Sequence, residues 1–409
     1  MRVALLALGL LLTPATIADN WWIQSYGFDQ TELDGSGVTI AVIDTGIDAS
    51  HPDLAGVVVD GVDFSSVGVP DGTSGVGSSA FHGTMVASLI AGQGSAESGV
   101  IGVAPKAKLL SVSIGLGVPG SDTDAQIAQA MRWAVDHGAD IINLSLTRNS
   151  QVWPKSWDSA FGYAFENDVL VVAAAGNRSD KSSRPSAPAT IPGVISVGGV
   201  TRNQQPAEAS TAGLGVAISA PAEDLLGAYP AESYRVWDGS SAAAPIVSGL
   251  LALMSQADPQ ASANDLIQRL IGTATDLGEP GFDANYGHGL INPAAALDSK
   301  LEAEQNPLGS LANWIKQYRP SADEGESELS LPVEPLPVIS EDQTQLVQGG
   351  ENLEPVGQSP FEPWLNPLLY WLLAPLAPLL WIVLRRERKG QVRALKKTKG
   401  KPQHDSSAN

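Results

Sequence analysis

Four short runs of apolar residues constrain this chain more than any other feature. Val38-Thr39-Ile40-Ala41-Val42-Ile43, Leu109-Leu110-Ser111-Val112-Ser113-Ile114, Ile141-Ile142-Asn143-Leu144-Ser145-Leu146 and Val169-Leu170-Val171-Val172-Ala173-Ala174 are rich in β-branched side chains. They lack the strict polar alternation of a half-solvated strand, so they read as strands buried on both faces. Asp124 to His137 instead has helical spacing, with Ile127, Ala130, Met131 and Ala134 on one face and Gly138 as a stop. Buried strands separated by amphipathic helices predict an α/β fold, a mainly parallel sheet with helices on both faces. No internal repeat is visible.

The ends of the chain differ from this body. Met1-Arg2, the ten-residue apolar run Val3 to Leu12 and the small residues before Ala18 have the three-part form of a secretory signal peptide, residues 1–18. Cleavage after Ala15 fits as well. Residues 363–384 carry no charge; as a helix they would be about 33 Å long, enough to cross a bilayer core of about 30 Å. Trp364 and Trp381 sit near the two ends, while Pro363, Pro367, Pro375 and Pro378 argue for kinks. The tail 385–409 has nine Lys and Arg against Glu387 and Asp405, in a chain whose net charge is −20. Positive charge of this kind stays cytoplasmic. The expected topology is a single-pass cell-membrane protein with an extracytoplasmic body, 19–301. Between body and span lies an acidic, Pro-rich linker, 302–362, read as a disordered tether of about 40 Å root-mean-square reach. Within it Leu311, Trp314 and Ile315 have the spacing of a short helix docked on the body.

Several chemistries are excluded at once. There are no cysteines, so no disulfide, thiolate nucleophile or Cys-ligated metal. Five histidines give no metal cluster, and Asp60 and Asp63 read as a solvated loop rather than a calcium site. So acidic a chain is a poor binder of nucleic acid.

In open α/β sheets ligands collect at the carboxyl ends of strands. Asp44 ends the first run, and Asn177 follows another in Ala174-Ala175-Gly176-Asn177. His82 stands where a helix appears, in Phe81-His82-Gly83-Thr84. Ser241 lies in Gly239-Ser240-Ser241-Ala242-Ala243-Ala244-Pro245, ahead of an apolar helix. Pro245 suits a helix's first turn, which predicts a start near Ser241 and puts its hydroxyl at the positive end of the dipole. An Asp, a His, a Ser and an amide donor suffice for acyl transfer without a cofactor.

The chain order Asp, His, Ser is that of the subtilisins, and not of the α/β-hydrolases or chymotrypsin. Over residues 36–297 the chain resembles a subtilisin-family (S8) serine peptidase. Val42-Ile43-Asp44-Thr45-Gly46 resembles the family's Asp box, His82-Gly83-Thr84 its His box, Ala174 to Asn177 its oxyanion segment, and Gly239 to Pro245 its Ser box. The resemblance implies a subtilisin-like fold, endopeptidase activity on protein or peptide substrates, and catalytic roles for Asp44, His82, Ser241 and Asn177. It implies substrate binding by Ser145, Leu146, Thr147, Ala175 and Gly176. Ser240 and Ala242 replace the usual Thr and Met, and Thr147 stands where the family often has Gly. His51 reads as a turn-holding residue, and His137 as a helix-end cation. Ser240 is the one rival nucleophile.

Only about 25 residues separate Ala18 from Asp44, which leaves no room for a folded inhibitory propeptide. With the tether, span and basic tail, this architecture resembles the mycosin group, membrane-anchored peptidases linked to type VII secretion. That resemblance implies a membrane secretion complex as partner and a Trp21-Trp22 segment wrapped on the body. Two other readings stand beside it: a general surface maturation or quality-control protease, and a scaffold that stabilises a membrane secretion complex.

Overall fold

The computed structural model describes residues 20–94, 99–178 and 184–319. The signal-peptide, span and tail readings, and the linker reading from residue 320 on, lie outside the described residues.

Seven strands form one sheet in the order β2-β3-β1-β4-β5-β6-β7. They are β1 (Thr39–Asp44), β2 (Val58–Asp63), β3 (Lys108–Ser113), β4 (Ile141–Leu144), β5 (Leu170–Ala174), β6 (Ile195–Val200) and β7 (Ile218–Pro221). Every neighbouring pair is parallel. A separate antiparallel hairpin joins β8 (Leu225–Tyr229) to β9 (Ser233–Trp237).

β1, β3, β4 and β5 each feed two cores. Ile40 and Val42 of β1 face one side and Ala41 and Ile43 the other; in β5, Leu170, Val172 and Ala174 oppose Val171 and Ala173. This is the period-2 pleat acting on a strand buried on both faces. Two helices, α2 (His82–Ala91) and α5 (Ser240–Ala257), fill the first side; α3 (Thr123–Asp136) and α4 (Lys155–Glu166) fill the second. The predicted stripe Ile127, Ala130, Met131 and Ala134 is the buried face of α3. The Asp122 carboxylate caps that helix, accepting from the Ala125 N–H at 3.1 Å. By length and composition α5 could cross a membrane, yet 83% of that stretch is buried within the body.

The folded body runs past residue 301, where the sequence had suggested a linker. Residues 302–319 pack against it, ending in α8 (Leu311–Tyr318), with Leu311 buried and Trp314 against Trp153 at 4.4 Å between centroids. At the other end α1 (Trp21–Ser25) buries Trp22 completely in the first core, and Trp21 donates its indole N–H to the Asp224 carbonyl.

Phe161 of α4 is fully buried beside Trp157 in the second core. Phe161→Ala removes most of a packed aromatic ring and should destabilise the fold by about 3–5 kcal/mol, read by urea denaturation. A loss under about 1 kcal/mol would show that α4 does not seal this side.

Candidate active site

β1 has β3 on one side and β4 on the other, so the winding of the sheet reverses at its carboxyl end. A crevice opens at such a switch point, and the last residue of β1 is Asp44. Its carboxylate is completely buried. The Thr45 N–H donates to Oδ1 at 2.7 Å, and His82 Nδ1 lies 2.9 Å from both oxygens. His82 is the first residue of α2. Glycine at 83 is required for that helix to start here, because a Cβ would collide with the Gly46 carbonyl in the turn after β1. The edge of Trp237 packs on the imidazole at 5.5 Å.

Burial alone pushes the His82 pKa down. The Asp44 charge and hydrogen bond outweigh it, so the net displacement is upward. The folded value then lies above the unfolded one. The pair's contribution to stability is full below about pH 6.5 and is lost as pH rises through the folded midpoint.

Ser241 arrives by a different route. α5 begins at Ser240, beside Ser241 as expected, but Pro245 is the sixth helical residue rather than part of the first turn. Gly239, with φ of +116°, precedes the first helical residue, a conformation that favours glycine. Pro245 has no N–H to give the Ser241 carbonyl four residues back. Ser145 Oγ takes that place, donating to the Ser241 carbonyl at 2.9 Å. A buried relay supports it: Ser248 Oγ donates to Asn143 Oδ1 at 2.9 Å, and Asn143 Nδ2 donates to Ser145 Oγ at 3.0 Å. The Ser241 hydroxyl itself donates to the Ser145 carbonyl at 3.1 Å. In this resting arrangement no hydrogen bond joins it to His82, although both line one cavity of about 280 Å³.

Asn177 lines the same cavity. Its Oδ1 accepts from the Ser240 N–H at 3.0 Å and lies 3.1 Å from Ser240 Oγ. With the oxygen so engaged, Nδ2 is the half of the amide left to donate. Ser240 Oγ also accepts from the Gly176 N–H, and the residue is fully buried. The rival nucleophile is thus a support beneath the Asn177 amide. The Ser241 N–H is one of the first-turn donors that a helix leaves without an internal acceptor.

Of the expected substrate contacts, Ser145, Leu146, Thr147 and Gly176 line the cavity. Ala175 does not: it is fully buried, and its N–H and carbonyl are engaged by Val197 and Ser186. Sequence reasoning missed Ser79, Leu116, Gly117 and Asn149, which complete the wall. Leu116 and Gly117 follow β3, and only the strand order reveals that the end of β3 lies beside that of β1. His51 is buried and accepts from the Asp53 N–H through Nδ1, holding the turn Pro52–Leu54. His137 Nδ1 lies 2.8 Å from the Trp133 carbonyl at the end of α3. The Asp63 carboxylate receives the Ser65 N–H, the Gly68 N–H and the Ser65 and Ser113 hydroxyls, a self-contained loop.

A buried carboxylate on an imidazole, opening onto a cavity shared with a helix-terminal serine, defines a serine peptidase of the parallel α/β type. The chain belongs to the subtilase family, peptidase S8, whose model matches residues 35–289. It is 38% identical to Subtilisin DY of Bacillus licheniformis over 264 residues, 64% of this chain and 91% of that protein. It is 39% identical to Subtilisin Savinase of Lederbergia lenta over 264 residues, 64% of this chain and 92% of that one. Two solved structures resemble it. Fervidolysin from Fervidobacterium pennivorans, a keratinolytic enzyme related to subtilisin, gives a TM-score of 0.61 at 31% identity, over 69% of this chain and 46% of that one. MycP1 with its N-terminal propeptide removed gives 0.58 at 30% identity, over 71% of this chain and 99% of that one.

Titration of His82 by NMR should give a midpoint above the usual value of about 6.5, and Asp44→Asn should lower it by removing the charge. An unchanged midpoint in Asp44→Asn would mean that the pair does not govern the imidazole.

Proposed function

We propose that this protein is a membrane-anchored, extracytoplasmic serine endopeptidase of the mycosin type, working beside a type VII secretion complex. The observation that carries the catalytic part is the gathering of His82, Ser241 and Asn177 around one cavity at the switch point of the sheet, with the buried Asp44 carboxylate behind the imidazole. Ser241 Oγ turns from the Ser145 carbonyl toward His82 Nε2, gives up its proton and attacks the scissile carbonyl. Asp44 keeps the proton on Nδ1 before the step and stabilises the imidazolium after it. The oxyanion is met by Asn177 Nδ2 and the Ser241 N–H. His82 then hands its proton to the leaving amine, and water, activated by the same imidazole, releases the acyl group from Ser241. Ser145, Leu146, Thr147 and Gly176 hold the substrate chain.

The finer reading has separate support. The match with MycP1 takes in 99% of that chain and 71% of this one at 30% identity. Ahead of it stands a signal-like segment, 1–18; behind it come the acidic Pro-rich stretch, the uncharged residues 363–384 and the basic tail. That order fits a body held outside a membrane by a tether.

The full-length protein should label with a fluorophosphonate, and Ser241→Ala should abolish the label; a folded parent that stays unlabelled would remove the enzyme reading. Asn177→Ala should lower kcat about 100- to 1,000-fold. Activity should rise with pH through the His82 midpoint, above about 6.5, because only the neutral imidazole is a base. For the anchor, the full chain should resist alkaline carbonate extraction from membranes, and truncation after residue 362 should release it. Release of the full chain would favour an unanchored surface protease.

A further inference from the structure

α8 ends on a contact that a tether does not need. The Arg319 guanidinium lies over the rings of Trp153 and Trp314, 5.5 and 5.3 Å from their centroids. Its Nη2 donates to the Trp153 carbonyl at 2.8 Å, and its Nη1 lies 3.1 Å from Asp158 Oδ2. Both charged side chains are largely buried, 18% and 10% exposed. Asp158 Oδ1 is taken by the Trp153 indole at 2.8 Å, and Oδ2 is buried with no other polar partner. Arg319 therefore neutralises a carboxylate that would otherwise be left half unpaired, and removing one member of such a pair is expensive. The two charges and the two rings bind one another tightly enough to hold the backbone at Trp153.

Trp153 is the far end of the loop that leaves β4, and the near end of that loop is the wall of the cavity. Thr147 and Asn149 line it. Between them Arg148 reaches forward to the Val152 carbonyl at 2.8 Å while gripping Asp124 on α3. The loop is thus braced at its start by Arg148 and at its end by the Arg319 contact. α8 also runs in a fixed direction. Its first residues lie against the end of α4, near Phe165 and Glu166, and its last lie against the start of α4, at Asp158. It is therefore antiparallel to α4, and Arg319, at its end, lies beside the loop that follows β4.

We infer that Arg319 is a positioning residue: through Trp153 and the 147–153 loop it holds the substrate-binding wall of the cavity in register with Ser241. The inference rests on the peptidase reading of that cavity. A misplaced wall weakens substrate binding while leaving the hydroxyl, imidazole and amide donors untouched, so the effect falls on KM. Arg is required rather than Lys because one planar group must stack on two rings and bridge two acceptors.

The test uses the full-length protein, a fluorophosphonate and a fluorogenic peptide amide that the parent cleaves. Arg319→Ala should raise KM about tenfold, with kcat and the rate of Ser241 labelling within about twofold of the parent. Arg319→Lys should recover part of the loss. An Arg319→Ala protein with parental KM overturns the inference, and so does one in which labelling, kcat and KM all deteriorate together, the mark of a role in folding alone. If Arg319→Ala does not accumulate, Trp314→Leu removes one ring and keeps the ion pair; a raised KM at constant labelling supports the inference and a parental KM overturns it. A parent that neither labels nor cleaves overturns the peptidase reading beneath, which is a separate failure.

Discussion

The structure turns on a negative charge held inside it. Asp44 sits at the carboxyl end of a central strand with no access to water, a position that costs several kcal/mol unless the charge is met by donors. The Thr45 N–H and the His82 imidazole meet it. That single requirement fixes several others. α2 must begin at His82 so that the ring reaches the carboxylate, the residue after it must be glycine so that the helix can abut the turn behind β1, and the imidazole's proton affinity is raised toward that of a useful base.

The second half of the site is assembled by hydrogen bonds that secondary structure leaves over. Proline at 245 withholds one backbone donor from α5, and Ser145 supplies another in its place, so the serine-bearing helix is tied to β4 through Asn143 and Ser248. Ser240 performs the corresponding service for Asn177. Buried polar groups are costly when unpaired, so networks of this kind specify one arrangement and disfavour near alternatives. The departures Thr-to-Ser at 240 and Met-to-Ala at 242 fit this account: the hydroxyl needed at 240 is kept, and Ala242 is a small buried residue in the same first turn.

Much of this was legible in the linear chain. The apolar runs form β1, β3, β4 and β5, the stripe through Ile127 and Met131 is the buried face of α3, and His82, Asn177 and Ser241 lie around one cavity with Asp44 behind the imidazole. The misreadings share a cause. The start of α5 beside Ser241 is legible, but Pro245 sits deeper than a first turn, where the Ser145 hydroxyl after β4 satisfies the carbonyl it leaves open. Ala175, next to the cavity residues Gly176 and Asn177, is instead fully buried with its backbone bonded to Val197 and Ser186. Leu116, Gly117 and Asn149 were overlooked because nothing local distinguishes them. Residues 302–310 have the composition of a solvated linker yet pack on the body, while Leu311, Trp314 and Ile315, legible by their helical spacing, dock α8.

What the amino-acid sequence alone determined is therefore whatever depends on periodicity and local chemistry: which segments are strands, which faces are apolar, and which few residues could move a proton or attack a carbonyl. Only the tertiary fold sets which strand ends are neighbours, which polar groups are left for a side chain to satisfy, and where Arg319 at the end of α8 comes to rest. Those outcomes depend on contacts between residues as far apart as Ser145 and Ser241, or Trp153 and Arg319. Such contacts exist only once the sheet has brought those residues together, and no local pattern encodes them.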